Sequence, residues 1–216
     1  MAERPVFVPI LEGPRLVQEV VIDFVWHPGM TPSQKKKNIA ALHERAAARG
    51  LKPLLEVSSK SEREVGQKLS AFNLRMLVEG EWTTVESVYQ GSKIFEKGGP
   101  FCDLIWKDSR EAKKDSRLQE SGNLVGFSFQ GESYPLTPTT AFYDWIYICA
   151  LFPHREWLKR LQQCAGFTDI EFNPMRSLNC QARSCAVFVA LLSRNLLEQA
   201  VSDFSYFRSV LQRGTI

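Results

Sequence analysis

Two predicted strands with a helix between them open the chain, and this order restricts the fold more than any other feature of the sequence. Residues 17–26 are rich in valine and predict the first strand, and residues 51–57 predict the second. Thr31 and Pro32 are residue types preferred at a helix N-cap and first turn, and Gly50 predicts the end of this helix. We therefore expect a β-α-β extension over residues 1–58.

Short elements, with helices in the majority, are predicted for the rest of the chain. In order, they are a strand and turn (74–82), a helix (84–95), a polar helix (108–119) and a hairpin (124–136), after which helices predominate. No internal repeat or linker interrupts this order. We predict an α+β fold, in which residues 1–216 form a mainly helical single domain with a small mixed sheet.

The composition limits the class of protein. Of 216 residues, 44% are hydrophobic and 24% are charged, as expected for a globular domain. The longest apolar stretches, near residues 141–152 and 185–192, fall short of the roughly 18 apolar residues that a membrane-spanning helix needs. Residues 1–20 mix charged and apolar side chains, unlike a secretory signal. We therefore expect a soluble, cytoplasmic protein without a membrane partner.

Neither the cysteines nor the histidines are spaced like metal ligands. The five cysteines contain no Cys-x-x-Cys pair, and their odd number argues against a closed set of disulfides. The three histidines, His27, His43 and His154, lie far apart in the sequence. We expect reduced thiols, no metal and no other cofactor.

Basic residues cluster in two predicted helices, although the net charge is only +3. The first cluster is Lys35, Lys36, Lys37, Arg45 and Arg49, and the second is Arg110, Lys113, Lys114 and Arg117. Such clusters either follow the phosphates of a nucleic acid or form solvated helix faces. Charge alone leaves both interpretations open.

The segment from Trp82 to Lys93 contains the residues best suited to chemistry. On a helix, Glu86, Gln90 and Lys93 fall at positions i, i+4 and i+7, so a carboxylate, an amide and an amine share one face. An alternative is purely structural: Thr83 to Glu86 fits a capping box, and Lys93 would then be a surface lysine.

This segment resembles the signature of the NADAR superfamily. The matching residues are Trp82, Thr84, Val85, Glu86, Tyr89, Gln90 and Lys93. Residues 69–73 are similar to the Ser-Asn-Phe element of that family, residues 109–113 to its Ala-Lys helix and residues 143–145 to its Asp-Trp element. The resemblance covers about residues 60–200 and implies an N-glycosidase core there.

The chain departs from the common pattern at two places. Ser87 replaces the usual histidine, and residues 177–183, which include Asn179 and Arg183, replace a C-terminal element whose glycine-rich loop is missing here. The Asn-Cys-Gln-Ala-Arg form of residues 179–183 and the β-α-β extension resemble the NADAR antitoxins found beside a DarT-type DNA ADP-ribosyltransferase. That resemblance implies ADP-ribosylated guanine in DNA as the substrate and the cognate toxin as a candidate partner.

The chemistry of such a substrate suits Glu86 and Lys93 as the catalytic pair. An exocyclic-amine riboside can open to an imine, which a neutral Lys93 amine could attack; burial or a nearby cation would have to lower its pKa. Alternatively, Glu86 activates water and Lys93 only orients the substrate. The residues leave both routes open.

Eight further residues are predicted to bind the substrate. Trp82, Tyr89 and Trp145 could stack on a base, and Gln90 lies on the same helix face as the catalytic pair. Asn73 and Asp144 are candidates for ribose hydroxyls. Asn179 and Arg183 lie four residues apart near a predicted helix N-terminus, where a pyrophosphate would be favoured.

Two other functions are alternatives to the removal of ADP-ribose from DNA. One is a housekeeping N-glycosidase that acts on ribosylamino intermediates of riboflavin synthesis. The other is a non-catalytic antitoxin that binds the toxin or the modified DNA. The extension and the basic helices favour the DNA substrate, whereas the altered residues 177–183 keep the non-catalytic alternative open.

Overall fold

A computed structural model describes residues 1–175 and 177–213 of the chain, so the end of the predicted domain at residues 214–216 lies outside the described residues. The strands are β1 (Ala2–Pro9), β2 (Val17–Phe24), β3 (Leu54–Glu56), β4 (Arg75–Val78), β5 (Glu81–Thr84), β6 (Lys93–Phe95), β7 (Leu124–Phe129), β8 (Glu132–Tyr134) and β9 (Gly166–Thr168). The helices are α1 (Pro32–Ala48), α2 (Glu64–Lys68), α3 (Val85–Gly91), α4 (Ser109–Lys114), α5 (Arg117–Glu120), α6 (Ala141–Leu151), α7 (Arg155–Leu158), α8 (Gln181–Ser193), α9 (Leu197–Ser202) and α10 (Phe204–Gln212). Short 3-10 helices lie at Cys102–Trp106, Phe152–His154 and Lys159–Gln163.

The largest sheet has the strand order β2-β1-β9-β3. Strand β1 is antiparallel to both β2 and β9, and β9 is parallel to β3, so β2 and β3 point the same way with α1 between them in sequence. The predicted β-α-β order is therefore confirmed, and Thr31 caps α1 by accepting from the Gln34 amide. Strands β1 and β9 were not predicted. Because β9 comes from the predicted core, extension and core share one sheet.

Two smaller sheets complete the strand structure. Strands β4 and β5 form a hairpin, and β6, β7 and β8 form a three-stranded sheet. Gln130 and Gly131 both have positive φ, at 51° and 82°, as a tight two-residue hairpin turn requires. The predicted hairpin over residues 124–136 is thus confirmed, and together with the helices these sheets confirm the α+β class.

The helix predicted over residues 84–95 is shorter than expected. It ends at Gly91, and Lys93 begins β6, which pairs with β7. The Ser92 hydroxyl donates to the Val88 carbonyl at 2.7 Å and satisfies one of the last helical acceptors. The predicted polar helix over residues 108–119 is also wrong as one element, since it breaks at Asp115 into α4 and α5.

Helices α6 and α8 explain the two longest apolar stretches, because both are buried nearly throughout. They form the centre of the main hydrophobic core. A smaller core lies between α1 and the large sheet, and Ile170, just after β9, packs into it. Within residues 1–175 and 177–213, no helix combines the length and the apolar character needed to cross a membrane.

Candidate active-site cleft

A cleft of about 660 Å³ runs between α3, the segment after β9 and the N-terminal β-α-β unit. This volume lies within the usual range for small-molecule sites, roughly 300–1,000 Å³. The cleft is lined by Arg4, Trp26, Lys35, Phe72, Glu86, Tyr89, Gln90, Lys93, Lys113, Tyr143, Asp169, Ile170, Glu171, Phe172, Asn173, Ser177, Leu178, Asn179 and Gln181. Five of the predicted site residues line it, namely Glu86, Tyr89, Gln90, Lys93 and Asn179.

Glu86 lies in the first turn of α3 with only 5% of its surface exposed. The residue that caps this helix is Thr84, whose hydroxyl accepts from the Ser87 amide at 3.2 Å. The capping box from Thr83 to Glu86 is therefore wrong, because the cap lies one residue further along. The Glu86 carboxylate is therefore not needed to cap the helix, and Glu86 lines the cleft.

Glu86, Gln90 and Lys93 form one hydrogen-bonded chain. The Gln90 amide nitrogen donates to Glu86 Oε1 at 2.9 Å, and Lys93 Nζ donates to Gln90 Oε1 at 2.7 Å. The predicted proximity of the three side chains is confirmed, although Lys93 reaches Gln90 from the start of β6 rather than from the helix. The side-chain amide of Gln90 therefore bridges the Lys93 amine and the Glu86 carboxylate, so that these two groups are linked without contacting each other directly.

The Lys93 amine is held in an environment that favours its neutral form. Burial lowers its pKa to about 8, the charge of Glu86 opposes this shift, and Lys113 adds to it. Lys93 Nζ also lies 4.6 Å from the centre of the Tyr89 ring. Lys113 Nζ approaches Glu86 Oε1 at 3.4 Å, so the carboxylate has a cation of its own.

Tyr89 and Asn179 meet at the cleft wall. The Asn179 side-chain amide donates to the Tyr89 hydroxyl at 2.6 Å, and Tyr89 packs edge-on against Tyr143. Burial, with a smaller contribution from Glu86, raises the pKa of Tyr89, so its hydroxyl stays protonated. Asn179 Oδ1 is buried and finds no hydrogen-bond partner among the described residues. It is therefore available to accept from a ligand.

A buried pair of carboxyl groups lies behind the cleft, and sequence reasoning missed it. Asp169 faces the cleft and accepts from Gln181 Nε2 at 3.0 Å, while Glu56 accepts from Ser58, Thr168 and the Ile170 amide. Burial raises the pKa of both, and the charge of Asp169 adds to the shift at Glu56. The one feature of the sequence that could have indicated this pair was Glu56, a carboxylate inside a predicted strand.

The N-terminal unit supplies the opposite wall through Arg4, Trp26 and Lys35. The Arg4 guanidinium lies 5.3 Å and Lys35 Nζ 5.7 Å from the centre of the Trp26 ring. Lys35 also pairs with Glu171 at 3.1 Å. Lys35 belonged to a predicted basic helix, but nothing in the sequence indicated that Arg4 and Trp26 would join it.

Five of the predicted substrate-binding residues lie elsewhere. Trp82, 53% exposed, and Trp145, which donates to the Ala200 carbonyl at 3.1 Å, line a separate apolar cavity. Asp144 is buried and accepts from Arg183 and from the Ser184 hydroxyl. Asn73 is exposed, donates to the Gln67 carbonyl at 2.8 Å and lines a neighbouring cleft.

The predicted pairing of Asn179 with Arg183 on one helix face is wrong. Helix α8 begins at Gln181, so Asn179 precedes it and turns to Tyr89, whereas Arg183 turns inward to Asp144. A pyrophosphate therefore has no shared Asn179 and Arg183 site in this structure. Tyr89, Gln90 and Asn179 remain as the predicted binding residues that line the cleft with Glu86 and Lys93.

Much of the charge in the two basic clusters is paired on the protein itself. Arg45 and Arg49 both bind Asp23, and Arg117 binds Asp103 and Asp115. In contrast, Lys35 and Lys113 turn to the cleft. Nowhere in the described part of the chain do three His, Cys, Asp or Glu side chains group so as to hold a metal ion.

The chain was compared with known protein families along its whole length. The family model for DarT1-associated NADAR antitoxins matches residues 2–216. No protein of curated function matches the chain. The family match spans the N-terminal unit as well as the segment that contains Glu86, Gln90 and Lys93, which agrees with the resemblance seen in the sequence. The chain belongs to the family of DarT1-associated NADAR antitoxins.

Proposed function

We propose that this antitoxin is an N-glycosidase that removes ADP-ribose from guanine bases of DNA. The observation that carries the proposal is the chain of contacts from Glu86 through Gln90 to Lys93 inside a cleft of substrate size. A carboxylate and a partly neutral amine are the two groups that cleavage of an N-linked ribose can use.

In the covalent route, Lys93 is the nucleophile. The ribose ring opens to an imine at C1, the neutral amine adds to that carbon, and a proton moves from the lysine nitrogen to the guanine nitrogen. The bond between C1 and guanine then breaks, leaving a Schiff base on Lys93. Water hydrolyses the Schiff base and regenerates the amine. In this proposal Glu86, which is linked to the Lys93 amine through Gln90, accepts and returns the proton.

In the alternative route, Glu86 removes a proton from water, and the oxygen attacks C1 as the bond from C1 to the guanine nitrogen breaks. The proton taken up by Glu86 then passes to the leaving guanine nitrogen. Lys93 then stays bound to Gln90 and orients a ribose hydroxyl. Asn179 Oδ1 suits the same task in either route, because it is buried without a partner among the described residues. Guanine in DNA as the substrate rests on the family, whose members accompany DarT1.

Two substitutions test the catalytic pair. Glu86→Gln and Lys93→Met keep the shape of each side chain and remove its chemistry, so each should lower turnover of an ADP-ribosylated oligonucleotide roughly a hundredfold or more. The matched control is Lys97→Met, four residues beyond Lys93 and exposed, which should leave turnover unchanged. Product release is measured by chromatography, and folding by thermal unfolding.

The competing functions predict different results for turnover, for substrate choice and for protection of cells from the toxin. Parental turnover in both variants would remove Glu86 and Lys93 from catalysis. A protein that cleaves ribosylamino pyrimidines but not modified DNA would be a housekeeping enzyme. Cells protected from the toxin equally by the parent and by a variant without measurable turnover would indicate a non-catalytic antitoxin.

A further inference from the structure

The wall of the cleft opposite Glu86 is built by the N-terminal unit and has no role in the chemistry above. It consists of Arg4 on β1, Trp26 just after β2 and Lys35 on α1. We propose that Arg4 and Lys35, held by the Trp26 ring, form a subsite for phosphoryl oxygens of the substrate. This proposal rests on the proposed function, since it names the part of the same cleft that binds the charged portion of that substrate.

Trp26 brings two like charges together. Arg4 and Lys35 lie 5.3 Å and 5.7 Å from the centre of its ring, within the distance of a cation–π contact. The ring is itself fixed edge-on against the buried Phe24, with centroids 6.1 Å apart. Two cations on one aromatic ring repel each other, and an anion that binds both relieves this repulsion.

Arg4 is incompletely satisfied. Its Nη1 donates to the Glu3 carbonyl at 2.8 Å, but its Nε is buried and meets no acceptor within residues 1–175 and 177–213. A guanidinium nitrogen left without an acceptor is unusual, because burial removes the water that would otherwise bind it. Burial lowers the pKa of Arg4, and the charges of Asp169 and Glu171 oppose this shift. Phosphoryl oxygens, like carboxylate oxygens, match the donor geometry of a guanidinium group.

Lys35 lies near the N-terminus of α1, where the helix dipole disfavours a positive charge. It follows the Thr31 cap and Pro32 by one turn, and the first turn of α1 contains no acidic residue. Cations near a helix N-terminus are disfavoured by the helix dipole, so Lys35 does not serve helix stability. Its partner Glu171 has 41% of its side chain exposed, so an incoming anion can replace this carboxylate.

Two carboxyl groups, Asp169 and Glu171, adjoin the subsite. Both raise the pKa of Arg4 and so oppose the effect of its burial. Burial raises the pKa of Asp169, which disfavours its charged form, and Glu171 is exposed enough for an anion to displace it from Lys35. Lys93 and Lys113 belong to the other wall, where they contact Gln90 and Glu86. Arg4 and Lys35 are therefore the cleft cations not occupied with the catalytic chain.

Phosphoryl oxygens can reach this subsite from two sources. One is the diphosphate of the ADP-ribose group, and the other is the DNA backbone beside the modified guanine. The test uses Arg4→Gln, Lys35→Gln and the double variant, with exposed Lys37→Gln as the matched control on α1. Arg4→Lys, which keeps the charge, and the unfolding temperature of each variant separate loss of binding from loss of fold.

Binding of free ADP-ribose is measured by calorimetry, and binding of an unmodified oligonucleotide by anisotropy over a range of salt. If the diphosphate is bound, the Kd for ADP-ribose should rise roughly tenfold or more for each cation removed, with no change for Lys37→Gln. If the DNA backbone is bound, ADP-ribose affinity should stay constant while the salt slope falls by roughly 0.7–0.9 for each cation.

The proposal is overturned if a folded double variant binds both probes as the parent does, or if the parent binds neither. Neither readout needs hydrolysis, so the two proposals fail separately. An active enzyme with an unaffected double variant keeps the N-glycosidase and loses the subsite. An inactive parent that binds ADP-ribose through Arg4 and Lys35 keeps the subsite and loses the N-glycosidase.

Discussion

At the scale of single residues, the most informative feature is a buried amine one amide away from a carboxylate. Lys93 donates to Gln90, which donates to Glu86, and burial brings the pKa of Lys93 to about 8. At neutral pH a usable fraction of the amine is therefore unprotonated, whereas an exposed lysine, with a pKa of about 10.4, has almost none. The same environment allows the two proposed routes to be separated.

We predict that the covalent route gives a rate that rises with pH. Attack requires the neutral amine, so kcat should increase through a pKa of about 8 and level off above it. Lys113 lowers this pKa, so Lys113→Met should move the rising limb to higher pH. Borohydride added during turnover should leave ADP-ribose attached to the peptide that contains Lys93. In the water route no adduct forms, and the rate does not follow the pKa of Lys93.

Single residues also show how far sequence reasoning reaches into the site. Glu86, Gln90 and Lys93 lie within one short segment. Helical spacing correctly places Gln90 beside Glu86, whereas Lys93 meets Gln90 from β6, outside the helix that the spacing assumed. Arg4 and Asp169 come from strands or strand ends far apart in the chain, and long-range sheet pairing brings them to the same cleft. Trp145 looked like a base-stacking residue, yet packing of α6 against α9 turns it to the Ala200 carbonyl.

At the scale of elements, the position of Lys93 depends on where α3 ends. The helix packs on the 3-10 helix at Cys102–Trp106, and a Cβ on Gly91 would lie 2.6 Å from Ile105 Cγ1 and 3.0 Å from its backbone nitrogen. Helical periodicity alone predicted four more residues of helix. It could not predict β6, because that strand forms only by pairing with β7, far along the chain.

We predict that Gly91→Ala lowers both stability and activity. The added methyl group must push the 3-10 helix away from α3, which should cost on the order of 1–3 kcal/mol of unfolding free energy. It should also displace Gln90 and Lys93 and reduce kcat. Denaturant unfolding and turnover are measured together. Gly126→Ala is the comparison, because its Cβ would meet the Tyr134 carbonyl oxygen at 3.3 Å, a tight contact that requires a smaller shift than the one at Gly91, so its loss of stability should be smaller. Equal effects in both variants would contradict the close contact at Gly91.

At the scale of the whole molecule, β9 joins the two parts that the sequence suggested as extension and core. It lies between β1 and β3, and Phe167 at its centre is fully buried opposite Phe7 and Leu55. The cleft depends on this junction, since Arg4 and Lys35 come from one side and Glu86 and Lys93 from the other. Strand β9 has only three residues, too few to show a strand period, which is why no strand was predicted there.

We predict that the N-terminal unit and the rest of the chain unfold as one cooperative unit. Phe167→Ala removes a buried ring at the junction and should lower the free energy of unfolding by roughly 3–5 kcal/mol. Hydrogen exchange should show the same loss for the amides of β1 and β2 as for those of α6 and α8, because two-state unfolding exposes all of them together. Val125→Ala, at an exposed position on β7, should change stability by less than about 0.5 kcal/mol. If protection falls only in β1, β2 and α1 while α6 and α8 keep theirs, the extension is a separate folding unit, and the cleft can open without unfolding of the core.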